Sequence, residues 1–458
     1  NRTTYDTETS PGTVGVVGLP TTTETLTGST SRTWAATTTS YDQHGRPTSI
    51  TDPLGHTTTT SYTPATVRPV TSSTVTTADP DGAGPLTPLV TTTTYDPRWG
   101  VATKQVQPGG QTTEATIDAL GRTTAVWQPG QAKSTDNPSV TYSYTVNNGG
   151  SNAVTTGTLM PDGTSYRTSV TIYDSLMRQR QTQTQAISGY QVHDTRYTSR
   201  GLDALDDSYL ASGSPSTNLV QPSGRTAIKT STRTTYDYAE RPLVAGFYSL
   251  EAEQWRTTHT YTGDSETITP PDGGTTTTVI SDVHGRTTQR IQHLGTSQNP
   301  DDATTSYTYT PAGNLETMTD PAGNKWSYTY DLAGHKLTTH DPDAGDSTAS
   351  YDTAGNLTSS TDGNNNTITY AYDNLNRQTG TTDANHNPLT ATTYDTIVKG
   401  QAAKSIRCDG TAQIINQVNT ADTAGRPTST SVIIPSIAGL TDNQLAGTYT
   451  TTTSYNPG

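Results

Sequence analysis

Tyr309, Tyr330, Tyr351 and Tyr372 stand 21 residues apart, and Asp320, Asp341, Asp362 and Asp383 keep the same step. A fixed period of this length means one small unit copied in tandem, and it constrains the fold more than any other feature of the chain. Three of the tyrosines are followed by aspartate, in Tyr330-Asp331, Tyr351-Asp352 and Tyr372-Asp373. The next copy, Tyr394-Asp395, follows after 22 residues, so one residue has been added.

The unit reads as a β-hairpin. Residues 351–372 open with Tyr351-Asp352-Thr353-Ala354-Gly355-Asn356, turn again at Asp362-Gly363-Asn364, and return through Thr367-Ile368-Thr369-Tyr370-Ala371 to Tyr372. Asp at the first turn position bonds the backbone two residues on, and Gly at the fourth supplies φ > 0 without steric cost. The second turn is Asp-Pro-x-Gly in other copies, as in Asp52-Pro53-Leu54-Gly55 and Asp320-Pro321-Ala322-Gly323, where Pro presets φ. Two turns per period leave two strands of about six residues, each about 20 Å long. Along the return strand Ile368, Tyr370 and Tyr372 share one face, as do Trp326, Tyr328 and Tyr330 one copy earlier. Ser327, Thr329, Thr367 and Thr369 take the other. This alternation marks half-buried strands, and burial of apolar area predicts the aromatic phase on the more enclosed side.

Apolar residues make up only 29% of the chain, and about a hundred residues are threonine. Alone, that composition fits a Ser/Thr-rich stalk or a disordered segment. Positional order argues against both, because a stalk needs neither tyrosines in phase nor turn residues at fixed offsets. The 25 tyrosines against one phenylalanine suit a wall with water on at least one side. At a net charge of −14, with Lys and Arg dispersed, no basic stripe exists for nucleic acid. No apolar run approaches the roughly 18 residues of a membrane span. Cys408 is the single cysteine, so no internal disulfide framework forms, and it reads as an unreactive small side chain.

The period divides the chain. Residues 1–130 read as YD repeats, with a longer loop at Pro80-Asp81-Gly82-Ala83-Gly84-Pro85. Residues 131–279 are degenerate: Met177-Arg178 and Glu240-Arg241 stand where Gly-Arg is expected, and 200–224 reads as an insertion. Residues 280–396 are the regular tract, and 397–458 are degenerate again with an incomplete end. Asn1-Arg2-Thr3-Thr4-Tyr5-Asp6 already reads as mid-repeat, as does Thr453 to Gly458, so the sequence reads as an internal fragment. No capped amphipathic helix is visible. Roughly twenty units at about 4.8 Å per strand give a ribbon near ~200 Å long, which must coil because open sheets twist. The predicted fold is all-β: tandem β-hairpins forming a long coiled antiparallel sheet, a hollow shell or part of one.

The motif Tyr-Asp-x-x-Gly-Arg/Asn followed by Asp-Pro-x-Gly-Asn resembles the YD repeats of the RHS family. Tyr330-Asp331-Leu332-Ala333-Gly334-His335 and Tyr351-Asp352-Thr353-Ala354-Gly355-Asn356 carry it best. The resemblance implies a spiralling β-sheet shell of the kind found in bacterial RHS polymorphic toxins, Tc toxin cocoon subunits and animal teneurins. In the bacterial members the shell encloses a toxic C-terminal domain, which here would lie outside the sequence. The closing segment and its cutting aspartates are not found before Gly458, and Asp320-Pro321-Ala322-Gly323 is a repeat turn.

No enzyme chemistry is read from the residues. His44, His56, His284 and His335 lie in or beside turns that the repeat spreads along the sheet. Asp341, Asp343 and Asp346 do not follow the ligand spacing of a calcium loop. Catalytic, cofactor-binding and metal-binding residues are therefore all expected to be none, and no cofactor is expected. Two functions remain: a container for a toxic effector domain, or an extracellular wall-associated or adhesive module that binds glycan or a partner cell surface, with Trp99, Trp127, Trp255 and Trp326 as candidates to stack on sugars. Both place the chain outside the cell or at its surface, without nucleic acid or membrane insertion.

Overall fold

The computed structural model describes residues 1–6, 18–27, 33–82, 84–295, 302–436 and 445–456. Ala83 of the long loop and Pro457-Gly458 of the terminal half-repeat lie outside the described residues. The chain is all-β: 35 strands and a single 3-10 turn, Arg225–Ala227, with no α-helix among the described residues. It forms two compact units, one from residues 1–136 and 326–456, the other centred on 137–325.

In the first unit each strand from Arg2–Tyr5 to Thr123–Trp127 pairs antiparallel with the next in sequence. A second meander does the same from Lys325–Tyr330 to Gly447–Thr452. The other unit is one meander from Val140–Thr145 to Leu315–Thr319. Strictly sequential pairing follows from the sequence, because each short turn returns the chain beside the strand it has just left.

The Tyr-Asp turns share one geometry. Gly355 N donates to Asp352 O at 3.1 Å, and Asp352 N to Asn356 O at 2.9 Å. Gly355 sits at φ +89° and Gly334 at +95°, as the turn reading requires. The register slips by one residue at the tyrosine, between Ser350 and Tyr351 and again between Ala371 and Tyr372. This is a three-residue hairpin loop closed by a bulge at a left-handed residue. Where Gly is replaced, the turn survives with a strained substitute: Met177 at φ 61°, Glu240 at 67° and Asn376 at 59°.

In the regular tract neither sheet face is covered. Trp326, Tyr328, Tyr330, Ile368, Tyr370 and Tyr372 are all half-buried, while Thr329, Thr338 and Thr348 on the opposite face are exposed. Ser327, Thr367 and Thr369 are nevertheless half-buried too. The faces differ less than expected because threonines pair across strands, Thr367 with Thr361 at 2.8 Å and Thr369 with Thr382 at 2.5 Å.

Deep burial belongs to the degenerate tract. Two cross-strand rows lie side by side on one face. Ala153, Ile172, Gln181, Asp194, Asp207 and Ser231 form the first. Val170, Gln183, Val192, Tyr209 and Ile228 form the second. All eleven are buried. The segment read as an insertion at 200–224 is half strand: Asp203–Ala211 pairs on both sides, and only 212–224 leaves the sheet. That strap crosses back over the buried face, and Val220 packs against Tyr190, Val192, Tyr209 and Ile228.

Candidate functional site

The repeat builds a wall, and its strength lies in a staple between consecutive copies. Asp42 Oδ1 accepts from the amides of His44 at 2.8 Å and Arg46 at 3.0 Å. Its Oδ2 accepts from Arg46 Nε at 2.6 Å. Held in that direction, the Arg46 guanidinium lies 4.5 Å from the centroid of Tyr62, one repeat later. The Tyr62 hydroxyl then reaches back and donates to Pro47 O at 2.9 Å, the carbonyl just after the turn.

The same four-part contact joins Asp174, Arg178, Tyr197 and Gln179. It recurs in Asp282, Arg286, Tyr309 and Thr287, and in Asp373, Arg377, Tyr394 and Gln378. Where Asn replaces Arg, Asn356 Nδ2 donates to Asp352 at 2.9 Å and Tyr372 still reaches Leu357 O at 3.0 Å. The preference for Tyr over Phe thus has a specific cause: the hydroxyl caps a backbone carbonyl of the previous repeat. Sequence reading placed the Asp and the Gly but missed the Arg–Tyr pairing. Its signal was the Arg that follows several turn glycines, Arg46, Arg122, Arg286 and Arg426.

The staple sets the electrostatics. Partial burial pushes Asp42 upward, but the amides of Arg46 and His44 and the Arg46 guanidinium outweigh it and hold the carboxyl at about 2. Asp282 is likewise held at about 2, chiefly by the Arg286 side chain and amide. Burial, then the hydrogen bond to Glu266, push Tyr261 up to about 12.

Within the first unit the rims of its two meanders meet. Thr353 Oγ1 donates to Pro53 O at 3.5 Å, and Asn376 Nδ2 to Asp52 Oδ2 at 3.2 Å. Asn374 bonds the opposite loop twice, through N to Pro80 O at 2.9 Å and through Nδ2 to Asp79 O at 2.9 Å. Lys399 Nζ reaches Thr87 Oγ1. The bonded partners are 294 to 324 residues apart. Tyr-Asp turns of one ribbon seat on the Asp-Pro-x-Gly rim and neighbouring loops of the other. Close approach is built in: a Cβ on Gly425 would stand 2.8 Å from Gln111 Nε2.

The residues weighed for chemistry have local roles. His56 Nδ1 lies 3.1 Å from Asp52 Oδ2, and His335 Nδ1 lies 2.8 Å from Asp331 Oδ2 with its ring stacked 4.8 Å from that of Tyr351. His44 Nε2 meets Thr66 O at 2.8 Å, and His284 N donates to Asp282 Oδ1 at 2.9 Å. Asp341 Oδ1 accepts from the amides of Asp343 and Ala344, and Asp346 pairs with His340. Among the described residues no group of three or more His, Cys, Asp or Glu is arranged to hold a metal ion. Trp127 is buried and donates to Asp136 O at 2.9 Å. Trp255 stacks on Phe247 at 5.3 Å, Trp99 packs over Gly121, and Trp326 is half-buried in its strand. Cys408 is buried.

A sheet of tandem hairpins, several of them stapled to the next by an Asp–Arg–Tyr contact, defines a β-repeat wall. The RHS Repeat family model matches residues 282–325, 317–346 and 351–388, so the regular tract carries RHS, or YD, repeats. No curated protein sequence matches it. Among solved structures, the crystal structure of TcdB2-TccC3 is similar over 99% of this chain, with a TM-score of 0.76 and 15% identity. A Photorhabdus luminescens Tc holotoxin pore is similar over 95%, with a TM-score of 0.72 and 14% identity. These likenesses are of fold. The chain spans 28% of the length of each of those chains.

Proposed function

We propose that this chain is a non-catalytic wall segment of a larger secreted or surface protein, and that the wall encloses a toxic effector domain lying outside the sequence. The observation that carries the reading is the rim-to-rim seam, in which turns some 300 residues apart seat on one another. Edges joined in this way close gaps through which a protease or solvent would otherwise reach an enclosed passenger. The RHS repeats and the Tc toxin fold support it. In the described turns His56 pairs with Asp52 and His335 with Asp331 as local contacts. No described helix is long and apolar enough to cross a membrane. The adhesive reading needs aromatics free to stack on sugar; Trp255 and Trp99 each pack one side against Phe247 or the Gly121 turn and stay 46% and 49% exposed, so the seam and not the aromatics favours the container.

The test is protease protection. In the full-length protein that contains this segment, the domain following the repeats should resist digestion until the wall is unfolded. Disrupting the seam with Asn374→Ala and Asn376→Ala should admit the protease sooner. A following domain cut as fast in the intact protein as when expressed alone would overturn the container reading.

A further inference from the structure

Turns that open at an aspartate line one rim of each ribbon, and the seam shows what such a rim looks like when it is met. Ala354, Leu375 and Ala424 hold the third position of their turns, and all three are half-buried. A Cβ on Gly130, across the seam, would stand 3.1 Å from Ala424 Cβ. Val398, on the turn that sends Lys399 to Thr87, is buried. The facing rim contributes the fully buried Pro80 and a set of carbonyls. Pro53 O accepts from Thr353 Oγ1, and Pro80 O accepts from Asn374 N. A met rim is therefore apolar at its tips and donates to the carbonyls of the loops it touches.

The unit centred on 137–325 carries the same kind of rim in turns 174–177, 198–201, 237–240 and 282–285. Met177 N donates to Asp174 O at 3.0 Å and Gly285 N to Asp282 O at 2.9 Å, as in the Tyr-Asp turns of the seam. Here the tips are bare. Leu176 is 71% exposed, Tyr238 96% and Val283 97%, with Met177 exposed beside Leu176. One exposed leucine means little, but a row of large apolar side chains at turn tips, where Asn, Asp, Ser or Gly would serve, marks a contact surface. Among the described residues the amides of Tyr238 and Val283, which stand at the turn position of Asn374 N, have no hydrogen-bond partner. Arg200, over the Tyr238 ring at 5.6 Å, adds a cation that suits the aspartates of an Asp-Pro-x-Gly rim.

The spacing identifies the occupant. Consecutive turns on one rim are two strands apart, about 10 Å, and a second ribbon of tandem hairpins repeats its loops at the same distance. In the seam both ribbons belong to one chain, and bonded residues lie 294 to 324 apart. Counted back by that interval, the partners of Leu176, Tyr238 and Val283 fall before Asn1. We propose that the rim of residues 174–285 seats on the Asp-Pro-x-Gly rim of a further tandem-hairpin ribbon, which the full-length protein supplies ahead of Asn1. The inference rests on the reading of this chain as a wall segment of a larger protein. Protease protection of the following domain measures enclosure, whereas cross-linking measures what touches one rim, so the two fail separately.

In the full-length protein, p-benzoylphenylalanine in place of Tyr238 or Val283 should, on irradiation, cross-link within the same molecule. Mass spectrometry of the digest should place the cross-links in repeat loops 294 to 324 residues earlier. The same label in place of Thr353 should reach the Pro53 loop, which checks that the fold is intact. A smaller probe covers the case in which the label disturbs folding. Tyr238→Cys should react with N-ethylmaleimide at least tenfold more slowly than Thr348→Cys, which stands exposed on an uncovered sheet face, Cys408 being buried. Equal rates, or a working Thr353 control with no cross-link from Tyr238 and Val283, would overturn the proposal. So would cross-links to a second copy, to a segment without repeats, or to residues after Gly458.

Discussion

Residues 325–394 and 152–231 are both antiparallel meanders, yet they are stabilised differently. The first keeps the strictest period in the chain and buries almost nothing, with Thr381 its single buried side chain. The second loses the period and holds the two fully buried rows. Repetition in this protein therefore tracks turn chemistry and not a core. Where both faces stay half wet, each repeat must hold its neighbour through the Asp–Arg or Asp–Asn turn and the tyrosine hydroxyl, and those residues recur on schedule. Where a strap covers one face, burial adds to the staple, which persists there in Asp174, Arg178, Tyr197 and Gln179. Positions facing the strap become Ile, Val, Tyr and Gln, while non-glycine residues at positive φ occur in both tracts, Met177 in the one and Asn365, Asn376 and His386 in the other.

The contrast should break first in the core. Ile172 is completely buried, and Ile172→Ala should cost about 2–5 kcal/mol by lost transfer and residual cavity. Ile368 is half-buried in an uncovered face, and Ile368→Ala should cost well under half of that. Urea unfolding followed by hydrogen exchange in each tract measures both. Equal costs would mean that the two regions share one mode of stabilisation.

The turns come next. Gly355→Val places a β-branched side chain at φ +89° with its Cβ 2.9 Å from His335 Nε2, and should lose about 1–2 kcal/mol. Gly334→Val, at φ +95°, should behave alike. The mirror experiment sharpens the comparison. Met177→Gly and Glu240→Gly relieve the same conformation in the degenerate tract and should each gain roughly 0.5–1 kcal/mol, since glycine's added unfolded-state freedom offsets part of the relief. Thermal melts that move the other way would show that these two turns are not strained copies of the regular one.

These differences explain what the sequence made legible. Strand and turn positions in the regular tract could be read because Asp-x-x-Gly acts within five residues and Tyr alternates within one strand. The Arg46–Tyr62 contact could not, because it spans a whole repeat and depends on the bulge that sets the register. The seam was less visible still, since Asn374 and Asp79 are 295 residues apart and nothing local marks them as partners. Gln181 and Gln183 look like polar strand residues, and Gly213 to Gly224 looks like any Ser/Pro loop. Only the pairing of a buried amide with a distant backbone turns them into a covered face, which is also why 200–224 read as insertion when its first half is a strand.

The smallest effect expected is also the most selective. Asp42 and Asp282 are held at about 2 in the folded chain, against about 3.9 for an unfolded aspartate. A carboxyl lowered on folding contributes stability that is fully present above pH ~4 and is lost as pH falls through ~2. Both carboxylates lie near the surface, so water screens each contribution and the loss per staple is slight. The strap is different. Its amides at Ser216 and Val220 are held by glutamine oxygens, which do not titrate, and Asp194, which also accepts from Gln181, makes neither of those bonds. Between pH 5 and 2, once exchange rates are corrected for their intrinsic pH dependence, the Arg46 and Arg286 amides should lose protection because both donate to an aspartate that is being protonated. The Ser216 and Val220 amides should keep theirs until global unfolding. Loss of strap protection at the same pH as the turns would mean that the two regions are held by the same charges, and the division between a stapled wall and a covered face would fall.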